Sequence, residues 1–146
     1  MLLKKGDLAP AFSVLSHEGK TLSLSDFTGK KVVLWFYPKA DTPGCTAEAC
    51  GFRDRKSSFE LRNAVLLGVS FDTVEENAAF ARKFAVTYPL LCDTQRELGI
   101  SYGACEKPSD TYAQRIAYLI DEKGKILEVF PKVDARTFPE EVLKTL

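Results

Sequence analysis

A chain of 146 residues, 45% of them apolar, has the length of one globular domain and can bury a core without a metal or disulfide framework. Twenty basic residues balance twenty acidic ones, which argues against a protein that holds nucleic acid or anionic lipid by bulk charge. The longest apolar run, Val32 to Tyr37, is far short of the roughly 20 residues of a membrane span, and Lys4, Lys5 and Asp7 stand where a signal peptide needs its apolar stretch. The expectation is a single domain over residues 1–146, off the membrane and in the reducing cytosol, where four cysteines suggest chemistry before scaffolding.

In chain order, Ala11 to Leu15 and Thr21 to Leu24 flank Ser16-His17-Glu18-Gly19-Lys20 and read as an N-terminal β-hairpin. Val32 to Tyr37, β-branched and aromatic without alternation, reads as a central strand covered on both faces, stopped by Pro38. After the loop Lys39 to Pro43, the segment Gly44 to Arg62 puts Cys45, Ala49, Phe52 and Phe59 on one helical stripe. Ala64 to Phe71 is the next buried strand, and Thr73-Val74-Glu75-Glu76 is a capping box opening a helix through Phe84. Pro89 to Cys92 gives a short strand. Arg115 to Ile120 and Lys125 to Phe130 form a second hairpin around Gly124, and Thr137-Phe138-Pro139-Glu140 opens a last helix. Together they predict an α/β domain, a mixed central sheet flanked by helices.

Much familiar chemistry lacks its parts. The single histidine, His17, reads as a surface turn residue, so zinc-protease and Ser-His-Asp schemes are excluded. The nine glycines form no phosphate cradle. Gly68-Val69-Ser70-Phe71-Asp72 begins like a nucleophile elbow but ends in Asp72, and reads as a strand end and helix cap. Glu75 and Glu76 suit the first turn of a helix without any catalytic role.

What remains is Pro38-Lys39-Ala40-Asp41-Thr42-Pro43-Gly44-Cys45-Thr46-Ala47-Glu48-Ala49-Cys50, which joins the buried strand to a helix and sets Cys45 in that helix's first turn. The first N–H groups of a helix have no internal partners, and with the macrodipole they favour the thiolate, the reactive form. Strand carboxyl ends are also where an open α/β sheet binds ligands. Cys50 is either a bystander or a partner. Five helical residues separate α-carbons by roughly 8 to 9 Å, beyond disulfide reach, so the two thiols can bridge only if the first turns unwind. The spacing is not C-x-x-C. Cys92 reads as a buried filler and Cys105 as an exposed loop thiol.

Pro38-x-x-x-Thr42-Pro43-Gly44-Cys45-Thr46, followed by Glu48-Ala49-Cys50 and Phe52-Arg53-Asp54, resembles the peroxiredoxin Q (bacterioferritin comigratory protein) branch of the peroxiredoxins. Gly6 to Phe12, Phe36-Tyr37-Pro38, Gly68 to Asp72, Tyr88 to Asp93 and Arg115 to Asp121 resemble further blocks of that family, in the right order. The resemblance implies a thioredoxin-like fold and a thiol peroxidase acting on hydrogen peroxide and alkyl hydroperoxides. Cys45 would be the peroxidatic cysteine and Cys50 the resolving one. Thr42, Gly44 and Arg115 would hold the peroxide at Cys45, Pro38 would shield it, and Glu48 would order the site. Thioredoxin or a similar dithiol would recycle the disulfide, with no metal, haem or flavin and with a monomer expected. Where many relatives carry serine this chain has Cys92, and where a hydroxylated residue is common it has Ala117. Cys105 has no family role. Alternatives are a single-cysteine peroxidase recycled by an external thiol, a redox-switched binding module, and a zinc-stabilised fold.

Overall fold

The structure, a computed structural model, describes all 146 residues. A two-stranded antiparallel hairpin, β1 (Ser13–Leu15) and β2 (Thr21–Ser23), precedes a 3-10 turn at Leu24–Phe27. There follow β3 (Lys31–Phe36), α1 (Pro43–Asp54), α2 (Lys56–Leu61), β4 (Ala64–Ser70) and α3 (Val74–Lys83). The chain ends with β5 (Leu90–Cys92), α4 (Glu97–Ser101), β6 (Ala117–Ile120), β7 (Ile126–Phe130) and α5 (Phe138–Lys144). The main sheet has the order β5-β4-β3-β6-β7; β3, β4 and β5 run parallel, while β6 and β7 are antiparallel to their neighbours.

β3 is the middle strand, as its unbroken apolar run requires. Val33, Trp35 and Tyr37 face one core with Cys45, Ala49 and Phe52 of α1, Phe80 of α3 and Phe138 of α5. Val32, Leu34 and Phe36 face the other, closed by Leu98 of α4, Tyr102 and the N-terminal segment. Residues Val32 to Tyr37 are at most 1% exposed. Burying side chains of this kind stabilises the fold by about 1.5–3 kcal/mol each.

Several expectations are corrected. The helix read over Gly44 to Arg62 is two helices. Arg55, at φ −109° and ψ 6°, breaks it, and α2 turns onto β4 while the Phe59 ring stays 5.7 Å from that of Phe52. Helix α5 opens at Phe138 as expected, with the Thr137 backbone itself helical and the Asp134 carbonyl taking the Phe138 N–H at 2.9 Å. Helix α4 had no counterpart in the sequence reading. It is held by the Asp93 carboxylate, which accepts the N–H groups of Leu98 and Gly99 at 3.2 and 2.7 Å. His17 is more than a surface turn residue. Its N–H donates to the Leu90 carbonyl and its Nδ1 accepts the Leu90 N–H, fastening the hairpin to the edge strand β5. Burial lowers its pKa. No helix is long and apolar enough to cross a membrane.

Candidate active site

Thr42 sits at the N-cap of α1 with extended backbone, and Pro43 occupies the first helical position, where a missing N–H does no harm. The Thr42 side chain does not cap the helix; its hydroxyl donates to the Lys39 carbonyl at 2.9 Å. The first bond into the helix is Thr46 N–H to the Thr42 carbonyl. The N–H groups of Gly44 and Cys45 therefore have no acceptor in the protein, which leaves two donors and the positive end of the helix at the thiol.

Arg115 reaches this point from the far end of the sequence. Trp35 pairs with Ala117, and the Phe36 N–H donates to the Ile116 carbonyl, so antiparallel β6 begins where β3 ends and carries Arg115 to the start of α1. Its guanidinium donates from Nη2 to Cys45 Sγ at 3.3 Å and from Nη1 to Glu48 Oε1 at 2.7 Å. A methyl group at Gly44 would lie 3.1 Å from Nη2, so glycine keeps the helix turn open to the guanidinium. Arg115 loses solvent by half-burial, yet the Glu48 carboxylate and the Cys45 sulfur hold its pKa above the ordinary value. Glu48 is 1% exposed and its second oxygen has no partner. Burial pushes its pKa up to about 7 against the pull of Arg115.

Cys45 itself is fully buried. Beside it opens a cleft of about 770 Å³ whose wall includes Pro38 and Arg115 together with Leu2, Cys105, Tyr112 and Ala113. A second cavity, about 460 Å³, lies at the opposite end of the sheet along Ala64–Leu67 and touches none of these site residues. The predicted residues Cys45, Gly44, Glu48, Arg115 and Thr42 thus gather at one helix terminus, with Pro38 at the cleft. Cys50 does not join them. It lies half-buried five residues along an intact α1, within electrostatic reach of Tyr88 and Arg53, and all four cysteines are free thiols.

Cys105, expected to be exposed, is 6% exposed, covered from the α4 side, where a methyl group on Gly99 would lie 3.2 Å from its sulfur. Burial raises the pKa of Cys105 and of Cys92, which takes a hydrogen bond from Asn77 at 3.4 Å. No group of three His, Cys, Asp or Glu side chains is close enough to hold a metal ion.

Two residues at the site's margin escaped the sequence reading. Tyr88 donates its hydroxyl to the Ala49 carbonyl of α1 at 3.0 Å. Asp72, read as a helix cap, is not one: Thr73 caps α3 through the expected box with Glu76, and the Asp72 carboxylate turns to the loop before α1. The signal for Asp72 was its redundancy, an acid beside a capping box already complete.

The AhpC/TSA family model matches residues 5–129. Peroxiredoxin Bcp of Escherichia coli is 38% identical over 149 residues, covering 99% of this chain and 96% of that protein. The crystal structure of peroxidoxin BcpB from Mycobacterium tuberculosis superposes with a TM-score of 0.90 at 33% identity, over 98% of this chain and 96% of that one. A cysteine-to-serine variant of Xylella fastidiosa PrxQ gives 0.93 at 29% identity, over 99% and 96%. The chain belongs to the AhpC/TSA family, in its Bcp or peroxiredoxin Q branch, whose members are thiol-dependent peroxidases of thioredoxin-like fold.

Proposed function

We propose that the chain reduces hydrogen peroxide and alkyl hydroperoxides at Cys45, that Cys50 resolves the oxidised sulfur, and that thioredoxin or a similar dithiol restores it. The observation that supports this most is the Arg115 guanidinium, hydrogen-bonded at once to the Cys45 sulfur and to buried Glu48, beside two unclaimed helix N–H groups. The Cys45 thiolate attacks the terminal peroxide oxygen. The O–O bond breaks, sulfur takes the oxygen as sulfenic acid, and the leaving oxygen takes a proton to depart as water or alcohol. Negative charge grows on that oxygen in the transition state, where a fixed cation and fixed N–H donors act with little reorganisation. Thr42 and Gly44 hold the peroxide against Cys45, and Pro38 keeps bulk water from it.

Cys50 then attacks the Cys45 sulfur, forming the disulfide and releasing water, after the first turns of α1 have unwound. An external dithiol reduces it through a mixed disulfide and leaves as its own disulfide. Both thiols lie in one chain, so a monomer can complete the cycle, and recycling by a dithiol fits the reducing cytosol. A Cys50→Ser variant tests the scheme. Thioredoxin-dependent turnover is expected to disappear while the first oxidation persists; unchanged turnover would mean a single-cysteine peroxidase, and oxidation without turnover in the wild type would mean a redox-switched binding module.

A further inference from the structure

We propose that Asp72 is a positioning residue for peroxide reduction, acting through one peptide plane on the Thr42 hydroxyl; the inference rests on the peroxidase reading above. The Asp72 side chain is 1% exposed. Its Oδ2 accepts the Ala40 N–H at 2.8 Å and the Ser70 hydroxyl at 2.7 Å, and its Oδ1 accepts the Lys39 ammonium. A buried carboxylate persists only when paired in this way, so its geometry is tightly determined.

The Ala40 N–H and the Lys39 carbonyl belong to the same planar peptide unit. Asp72 holds the N–H end of that plane; the Thr42 hydroxyl donates to its C=O end. If the plane turns, Thr42 loses its acceptor. While it is held, the hydroxyl proton is committed to Lys39 and the oxygen offers lone pairs, suited to accept from a peroxide O–H. Freed, the same hydroxyl no longer presents those lone pairs to the peroxide, while the Cys45 sulfur keeps Arg115 as its partner.

Neighbouring elements steady the loop. Asp41 has φ 63°, a left-handed conformation that Asp adopts more readily than most residues but still at a cost. The steadying contacts come from the β4–α3 junction and α3. Lys39 also pairs with Glu76 at 2.7 Å, and Lys83 pairs with Asp41 at 2.9 Å. The bond to Lys39 pulls the Glu76 carboxyl down to about 2. Glu76 and Lys83 are exposed at these pairs, whereas Asp72 is buried and holds both the side chain of Lys39 and the following peptide. Asp72 is the fixed point.

The test compares reduced wild type, Asp72→Asn, Thr42→Val and the double variant. Two rates are read: the second-order reaction with hydrogen peroxide, followed by Trp35 fluorescence, and iodoacetamide alkylation mapped to Cys45. One amide oxygen cannot serve Lys39, Ala40 and Ser70 together. Asp72→Asn is therefore expected to slow the peroxide reaction about 10- to 100-fold, as small misplacements of positioning groups do, with alkylation within about twofold. The double variant is expected to be no slower than Thr42→Val alone, because both changes act on the same hydroxyl. Proportional loss in both reactions, additive loss in the double variant, or no loss would overturn the proposal. If Asp72→Asn fails to fold, Asp72→Glu keeps the charge for Lys39 but moves the carboxylate off the Ala40 N–H; a peroxide-selective loss of about 10-fold is expected, and no selective loss overturns it. A wild type inert to peroxide would instead overturn the peroxidase reading itself.

Discussion

The Tyr88 hydroxyl donates to the Ala49 carbonyl at 3.0 Å, which ties the helix turn just before Cys50 to the core beneath it. Tyr88 is 2% exposed and packs beside Trp35, which itself lies 5.2 Å from Phe52 of α1, so the anchor is rigid. The proposed cycle requires α1 to unwind between Cys45 and Cys50, and this bond resists that motion. Removing it with Tyr88→Phe weakens the wound state by about 1 kcal/mol. The expected outcome is a second, disulfide-forming phase faster by roughly fivefold after a pulse of peroxide, with the first phase unchanged. Rapid-mixing fluorescence separates the two phases; a slower or unchanged second phase would count against unwinding through this turn.

Arg115 is a fork between two partners. Lysine keeps the charge but cannot donate along two fixed directions to Cys45 Sγ and Glu48 Oε1. Arg115→Lys should slow oxidation of Cys45 by about 100-fold, the usual effect of losing one oriented donor at a developing anion. Competition against catalase for limiting peroxide measures it, and a loss under threefold would mean that charge alone suffices.

The buried Glu48 carboxyl links stability to pH. Its folded-state pKa stands at about 7 against an ordinary 4.5, so its neutral form is the one the fold favours. That contribution is complete below about pH 4.5 and is lost as pH rises through 7, a change of at most roughly 3 kcal/mol. Glu48→Gln removes the titration. Urea unfolding at pH 5 and pH 7.5 should show the wild type losing stability relative to the variant as pH rises. Asp93, raised to about 6 by burial, titrates in both proteins and cancels in the comparison. Parallel pH curves would show that Glu48 is already ionised at pH 5.

Cys92 and Cys105 should be dispensable for turnover. Burial raises both pKa values, and Asn77 engages Cys92 within the core. Cys92→Ala and Cys105→Ala are expected to keep thioredoxin-linked peroxide turnover within about twofold while losing about 1 kcal/mol of stability each, through lost packing. Loss of turnover in Cys105→Ala would bring the thiol in the cleft wall into the cycle.

The sheet is legible in the sequence because Val32 to Tyr37 is a short run, β-branched and aromatic, with no polar face and a stop at Pro38, which together mark a strand covered on both sides rather than a buried helix. The placement of Cys45 follows equally directly from Thr42-Pro43-Gly44 before an apolar helical stripe. Helix α4 is not legible. Its five residues carry little periodicity, and the groups that hold its start, Asp93 and left-handed Arg96, give no local capping pattern. The burial of Cys105 was hidden for the same reason, since α4 covers it. Asp72 shows the other limit. A motif marks the residues that face the reacting atoms, but the carboxylate that steadies their loop is 32 positions from Ala40 and becomes visible only when β4 lies beside β3.

The most direct test of the proposed chemistry is the intact mass of fully reduced protein before and after one equivalent of hydrogen peroxide, without added thiol, followed by peptide mapping. A rapid loss of about 2 Da, mapped to a bridge between Cys45 and Cys50, is expected from thiolate attack, resolution and unwinding together. A gain of oxygen confined to Cys45, or no change in mass, would contradict it.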